Sequence, residues 1–353
     1  MNTILCLAAT HLATEVPEGT RYSYVARGLL GRSASLFSEQ LSSPVTADNS
    51  EALIATSMLM QYISWSSLDF LGEMKVNHED MSQGDIFKQN HTIDVDGEPY
   101  YPHLLSQRLL QDPLVQLSSG VFGIVCETYP ILWSTGSDFF AATIYSPRHV
   151  LEEAIRQHGQ DPDRYVSHFM TIWDDRRHRE NEVTDKSHLS TFPKPPICPA
   201  VGPKPLSPTQ DRSNATSSSS ETEDSHRKRF RRIASRLSLM FCLVSMIRGS
   251  WIPRADYDPR FLSAVSDGLA ELQPDIERCC FLFPVLSGNL LRNLVSQDDS
   301  RALILLGHFY RAARILLTSQ SAWWARQRST IMEETILKEL ATRGLTSYML
   351  DVE

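Results

Sequence analysis

At 353 residues, of which 42% are hydrophobic and 22% charged, the chain has ample sequence to bury one large core or two ordinary ones. Its formal net charge of -8 argues against broad electrostatic attraction to nucleic acid or anionic lipid, which needs a basic face. Cys6, Cys126, Cys198, Cys242, Cys279 and Cys280 form no CxxC pair, so they read as reduced thiols, and neither a zinc site nor any other metal or cofactor site is expected.

The first apolar run, Met1 to Ala13, has no basic leader and no small-residue cleavage site, and it predicts a core helix. "RYSYVARGLLGRSASLFSEQL" carries Tyr22, Val25, Leu29, Leu36 and Leu41 at helical spacing, which predicts an amphipathic helix. In "EALIATSMLMQYISW" the apolar residues go nearly all round, so this segment predicts a central helix, capped by Asp48 with Glu51 three residues on. "HTIDVDGEPYY" is the one stretch that alternates enough for a short hairpin, or it is a loop. "DPLVQLSSGVFGIV" and "DRYVSHFMTIWDDRR" predict further helices.

Three oxygen-bearing residues precede prolines, at Ser146-Pro147, Asp161-Pro162 and Asp258-Pro259. Each predicts a helix start, because proline's fixed φ and missing N–H suit the first turn. The first runs to Gly159, and the third buries Leu262, Val265, Leu269 and Leu272 on one face before Pro274. Asn90 and Asn214 sit in glycosylation sequons, which carry no weight without a secretory signal.

From Lys186 to His226 the chain is rich in Pro, Ser and Thr and poor in aromatics, so it cannot offset its ordering entropy and predicts a disordered insertion. The insertion ends in "HRKRFRR", whose Arg227, Lys228, Arg229, Arg231 and Arg232 form the one dense basic run. The run reads either as a nuclear-localisation address or as a solvated extension of the next helix. The domain reading is 1–185 and 233–353 as two helical halves of one domain, joined by a linker at 186–232. The fold class is all-α, a multi-helix orthogonal or solenoid-like arrangement. The run Leu237 to Ile247 is shorter than the about 20 residues that span a bilayer, so no membrane span is expected.

Catalytic motifs are not found: there is no GxSxG, no phosphate loop, no GxGxxG after a strand and no HExxH. His149, His158, His168 and His178 are spaced wrongly for paired ligands, and Asp174-Asp175 runs into Arg176 and Arg177 instead of completing a DDxxD cluster. The acidic pair reads as a charged helix end with local ion pairs, and the chain as no enzyme.

Three strings stand in a telling order. "ILCLAATHLA" is followed by "NSEALIATSMLMQYISW", then "LVQLSSGVFGIVCETYPIL" with "SPRHVLEEA", then "SRALILLGHFYRAARILLTSQSAWWARQ". In this order they resemble the C-terminal regulatory domain of fungal-specific binuclear zinc-cluster transcription factors, in the branch typified by the sterol uptake control proteins. The resemblance covers most of the chain outside the Pro/Ser insertion. It implies a nuclear transcription regulator of a lipid, sterol or secondary-metabolite pathway. It also implies a homodimer, or a heterodimer with a related regulator, and a hydrophobic small-molecule effector. DNA contact is expected only through the family's N-terminal zinc cluster, which this sequence does not contain, or through a partner; "TRGLTSYMLDVE" is shorter than the family's last segment. A co-regulator or interaction module with no DNA contact of its own is the alternative. Phe309, Tyr310, Trp323 and Trp324 are the candidate ligand or partner surface. Core packing is the competing reading, since large aromatics fill cores more often than they line pockets. The helix that carries them is expected to be capped by Asp298 or Ser300 and to end at the tryptophans, with Arg326 and Arg328 marking an edge.

Overall fold

The computed structural model describes residues 1–16, 19–71, 104–175, 218–249 and 270–350. The expected insertion at 186–217, the helix expected from Asp258, the candidate hairpin, both sequons, Cys198, His178, Arg176 and Arg177 lie outside them. The described residues are all-α and contain no strand.

The chain opens with α1 (Asn2–Glu15) and α2 (Gly19–Leu41), packed as a hairpin. The contact uses small side chains: Thr3, Cys6 and Ala9 of α1 are buried, as are Ala26 and Ser33 of α2. The Cys6 thiol donates to the Ala26 carbonyl at 3.3 Å. The core helix expected at Met1 to Ala13 holds on one face: Cys6 and Ala9 join Ala26, Met60 and Ile63 in a small core, while Ile4, Leu5 and Leu12 stand in solvent. The expected stripe on α2 is split, with Leu29 packed on this small core and Tyr22 half-buried, but Val25, Leu36 and Leu41 exposed.

α3 (Ala47–Ser66) is buried on most sides, as its all-round apolar character predicts. Its N-terminus is held differently from expectation: Asn49, not Glu51, reaches back to accept the Thr46 N–H at 2.8 Å. Glu51 instead accepts the Ser137 hydroxyl. α4 (Leu104–Gln111) leads into α5 (Pro113–Thr135), where Asp112 caps the Leu114 N–H at 2.8 Å and Pro113 takes the first helical position. Gly136, at φ +65, stops α5 in the left-handed region that favours glycine. α6 (Asp138–Ile144), α7 (Arg148–Gln157) and α8 (Asp163–Asp174) follow, with Gly159 at φ +65 closing α7 as the sequence predicts.

α9 (Ser218–Gly249) and α10 (Gln273–Ser296) bring in the second half. Residues 218–232, read from sequence as the end of a disordered linker, are helical and open α9. α10 has the length and apolarity to cross a bilayer, but 56% of its most apolar window is buried inside the protein. It packs against α4, α5 and α9 as a core helix. α11 (Ser300–Leu316) is buried nearly all round, and Asp299 caps it by accepting the Arg301 N–H at 2.9 Å. The expected caps, Asp298 and Ser300, flank the real one. α11 stops at Leu316, so the tryptophan pair belongs to the start of α12 (Trp323–Thr342) and not to the end of α11. One core cluster takes in α3, α4, α5, α7, α8, α9, α10, α11 and α12.

Candidate functional site

Around Trp65 of α3 the aromatic residues gather into a nest. Phe309 and Tyr310 of α11 lie 5.7 and 6.3 Å from its ring, and Trp324 stands edge-on at 5.0 Å. Phe283 stacks on Phe309 at 4.3 Å, while Tyr62 and Phe281 close around Trp324 at 5.4 and 5.7 Å. Such pairs gain from ring geometry as well as from burial. Phe309, Tyr310 and Trp324 are therefore packed in the core. The enclosed cavity beside Phe309 and Tyr310 measures only about 20 Å³, room for about one water. Trp323 alone is half-buried, packed on His11 of α1 at 4.5 Å, and so remains partly accessible.

Next to the nest lies a charged centre that sequence reasoning missed. Arg328 of α12, expected at an edge, is fully buried and pairs with the equally buried Asp112. Its guanidinium also donates to the Ser64 and Ser67 carbonyls at 3.1 and 2.6 Å and to the Tyr310 hydroxyl at 3.2 Å. Burial works against the charge, but the Asp112 carboxylate and then the Tyr310 hydroxyl outweigh it and keep Arg328 protonated. This one side chain thus ties the C-terminus of α3, the cap of α5 and α11 to α12.

A second polar anchor is His308. Its Nδ1–H donates to the Ile304 carbonyl at 2.8 Å, and its Nε2 accepts the Leu350 N–H at 3.1 Å. Acceptance at Nε2 requires the neutral ring, and burial lowers its pKa to about 3. His168, whose spacing does not suit a paired metal ligand, meets the Tyr348 carbonyl through its Nε2 at 3.2 Å. The acidic pair also reaches beyond its own helix: Asp174 holds Arg227 of α9 at 2.9 Å and Asp175 accepts the Tyr348 hydroxyl.

The basic run lies along the exposed start of α9. Arg227 is engaged with Asp174, and Lys228 with Asp224 at 2.7 Å, while Arg229, Arg231 and Arg232 face solvent around a buried Phe230. The run is helical, and all five of its cations are exposed.

One exposed apolar face lies away from the residues that the sequence singles out. On α5, Phe122, Cys126, Tyr129 and Trp133 recur at four, three and four residues, the seam spacing by which helices pair. Phe122 is 45%, Tyr129 44% and Trp133 67% exposed. Phe140 of α6 extends this face, 4.9 Å from Trp133 and 5.3 Å from Tyr129. Among the described residues no three ligand-type side chains gather closely enough to hold a metal. Comparison with known proteins found no matching family model, no matching curated protein and no matching solved structure.

Proposed function

We propose that this chain is a transcription regulator of a lipid, sterol or secondary-metabolite pathway in the nucleus of a fungus, acting through a helical partner-binding domain and without catalysis. The ordered family-like strings support the reading, and the all-α architecture agrees with it. The observation that carries the partner-binding part is the aromatic face of α5 and α6. Its exposed aromatics offer on the order of 350 Å² of apolar surface, the size at which the largest patch on a monomer is often functional. A second copy or a related regulator is the occupant we assign to it. The tight packing around Phe309 and Tyr310 favours this face over a buried effector site, so a hydrophobic effector would act at the surface, near Trp323.

Deleting and overexpressing the gene while measuring genome-wide transcripts tests the regulatory role. A coordinated change in one pathway is expected, and no change in any pathway would sink it. A second reading, a co-regulator that never touches DNA, is favoured by the net charge of -8 and by the engagement of Arg227 and Lys228 with acids. A gel shift with the purified chain is expected to show no specific complex under either reading, and specific binding at moderate salt would overturn the view that DNA contact comes from a zinc-cluster partner.

A further inference from the structure

Two rows of residues run along the exposed face of α5. Phe122, Tyr129 and Trp133 form a ridge. Beside it Ser119, half-buried, and Gly123 and Pro130, both exposed, form a trough, and the exposed Cys126 stands between the rows. Glycine in the middle of a helix costs stability, and nothing inside the molecule requires it here: a Cβ on Gly123 would meet no atom within 4 Å. The helical Gly288, by contrast, lies tightly against Ser118 and Ser119. An open glycine beside an aromatic ridge is what lets a second helix come close and seat a ring.

The two rows are complementary to each other under a two-fold rotation. When two α5 helices lie antiparallel about an axis at Cys126, each residue meets the one equally far from Cys126 on the other side. Trp133 then lies over the partner's Ser119, Tyr129 over the partner's Gly123, and Pro130 against the partner's Phe122. Large meets small at both of the larger rings, and each contact is made twice. Charge allows the same match. Glu127 is the one charged residue among the 23 of α5, and at 3.6 residues per turn it falls about 100° round the helix from Cys126. Gly28 and Gly31 of α2 are open as well, but they stand beside Arg27 and Arg32, whose like charges a second copy would bring together. We infer that two copies of this chain pair through α5, antiparallel, with the two-fold axis at Cys126; this rests on the self-association proposed above and fixes its geometry. The rings bury about 700 Å² over both copies, below the about 1,200 Å² of a standard interface, so the dimer is weak and reversible.

The test is copper-phenanthroline oxidation of the full chain carrying Cys198→Ser, at concentrations where light scattering shows association. In this chain the cysteines other than Cys126 are buried or half-buried. Close packing at the axis brings the two Cys126 thiols within disulfide reach, with Cα atoms about 6 Å apart, so a dimer band that dithiothreitol removes is expected on a non-reducing gel. Association without that band overturns the axis. Adding Cys126→Ser and Ser119→Cys separates antiparallel from parallel pairing. The two copies of position 119 then lie about 21 Å apart along the helices, so no band is expected, and a band overturns the antiparallel arrangement. Gly123→Leu gives an independent reading. It should leave the unfolding temperature equal or higher, since leucine favours the helix, yet weaken association about tenfold, because it fills the space that the partner's Tyr129 takes. A merely sticky surface would associate more strongly with the added leucine, and that result overturns the two-fold fit while leaving self-association standing. A mass that stays monomeric at every concentration removes both.

Discussion

Arg328 and Asp112 form an ion pair from which water is excluded on both sides. Removing one member strands the other as a buried charge, which costs about 3–5 kcal/mol. Arg328→Met and Asp112→Ala should each show that loss in denaturant unfolding. The double variant Arg328→Met/Asp112→Leu should recover only part of it. The Ser64 and Ser67 carbonyls and the Leu114 N–H lose partners that no apolar side chain replaces. Full recovery would show that the pair acts alone and not as the hub of these bonds.

His308 makes the protein acid-sensitive. Its folded pKa of about 3 lies below the ordinary value of about 6.5, so below pH 6.5 the unfolded chain takes up a proton that the folded chain refuses. Its contribution is complete above pH 6.5 and is lost as pH falls toward 3, a loss of about 2 kcal/mol by pH 5. Burial also lowers the pKa of His168, which adds to the loss with the same sign. Unfolding midpoints measured from pH 7.5 to 5 should fall in the natural chain. They should fall less steeply in His308→Gln, and equal slopes would contradict this assignment.

Two helical glycines should respond differently to alanine. A Cβ on Gly288 of α10 would meet the Ser119 backbone nitrogen and Ser118 Cβ of α5, both at 3.3 Å. One on Gly307 of α11 would meet Ile336 Cγ2 at 3.2 Å and the flexible end of Met349 at 3.3 Å. Backbone cannot yield as a methionine tip can. Gly288→Ala is expected to destabilise by about 1–3 kcal/mol from overpacking. Gly307→Ala should come out near neutral, since alanine's helical preference of about 1 kcal/mol offsets the milder crowding. Thermal unfolding of the two variants side by side decides it.

The exposed seam on α5 predicts association. Light scattering of the natural chain should show mass rising with concentration, and Phe122→Ser with Trp133→Ser should reduce that rise. Because both rings stand in solvent, the unfolding free energy should move by no more than about 0.5 kcal/mol. Unchanged association in the double variant would remove this face from the proposed function.

Much of the helical order is local chemistry and was legible in the sequence. Asp161 before Pro162, and Gly159 at a left-handed stop, mark their helix boundaries by mechanisms confined to a few residues. What could not be read is which face of a helix turns inward. α1 reads as a core helix and α2 as an amphipathic one, yet they meet through Ala, Ser and Cys and leave many of their larger residues outside. The charged centre was illegible for a different reason: Arg328 and Asp112 are 216 residues apart, and neither neighbourhood hints at the other. His308 did leave a signal, a lone histidine within the unbroken apolar run of α11.

That same separation bears on how the protein is made. At about 5–20 residues per second, the ribosome reaches Arg328 roughly 10–40 s after Asp112. Throughout that interval the inner faces of α3, α4 and α5 have been synthesised without α11 and α12, which cover them in the finished protein. The nascent first half therefore presents Trp65, Leu109 and Leu114 to its surroundings as a sticky intermediate, which the cell's chaperones must shield until translation delivers the helices that bury them.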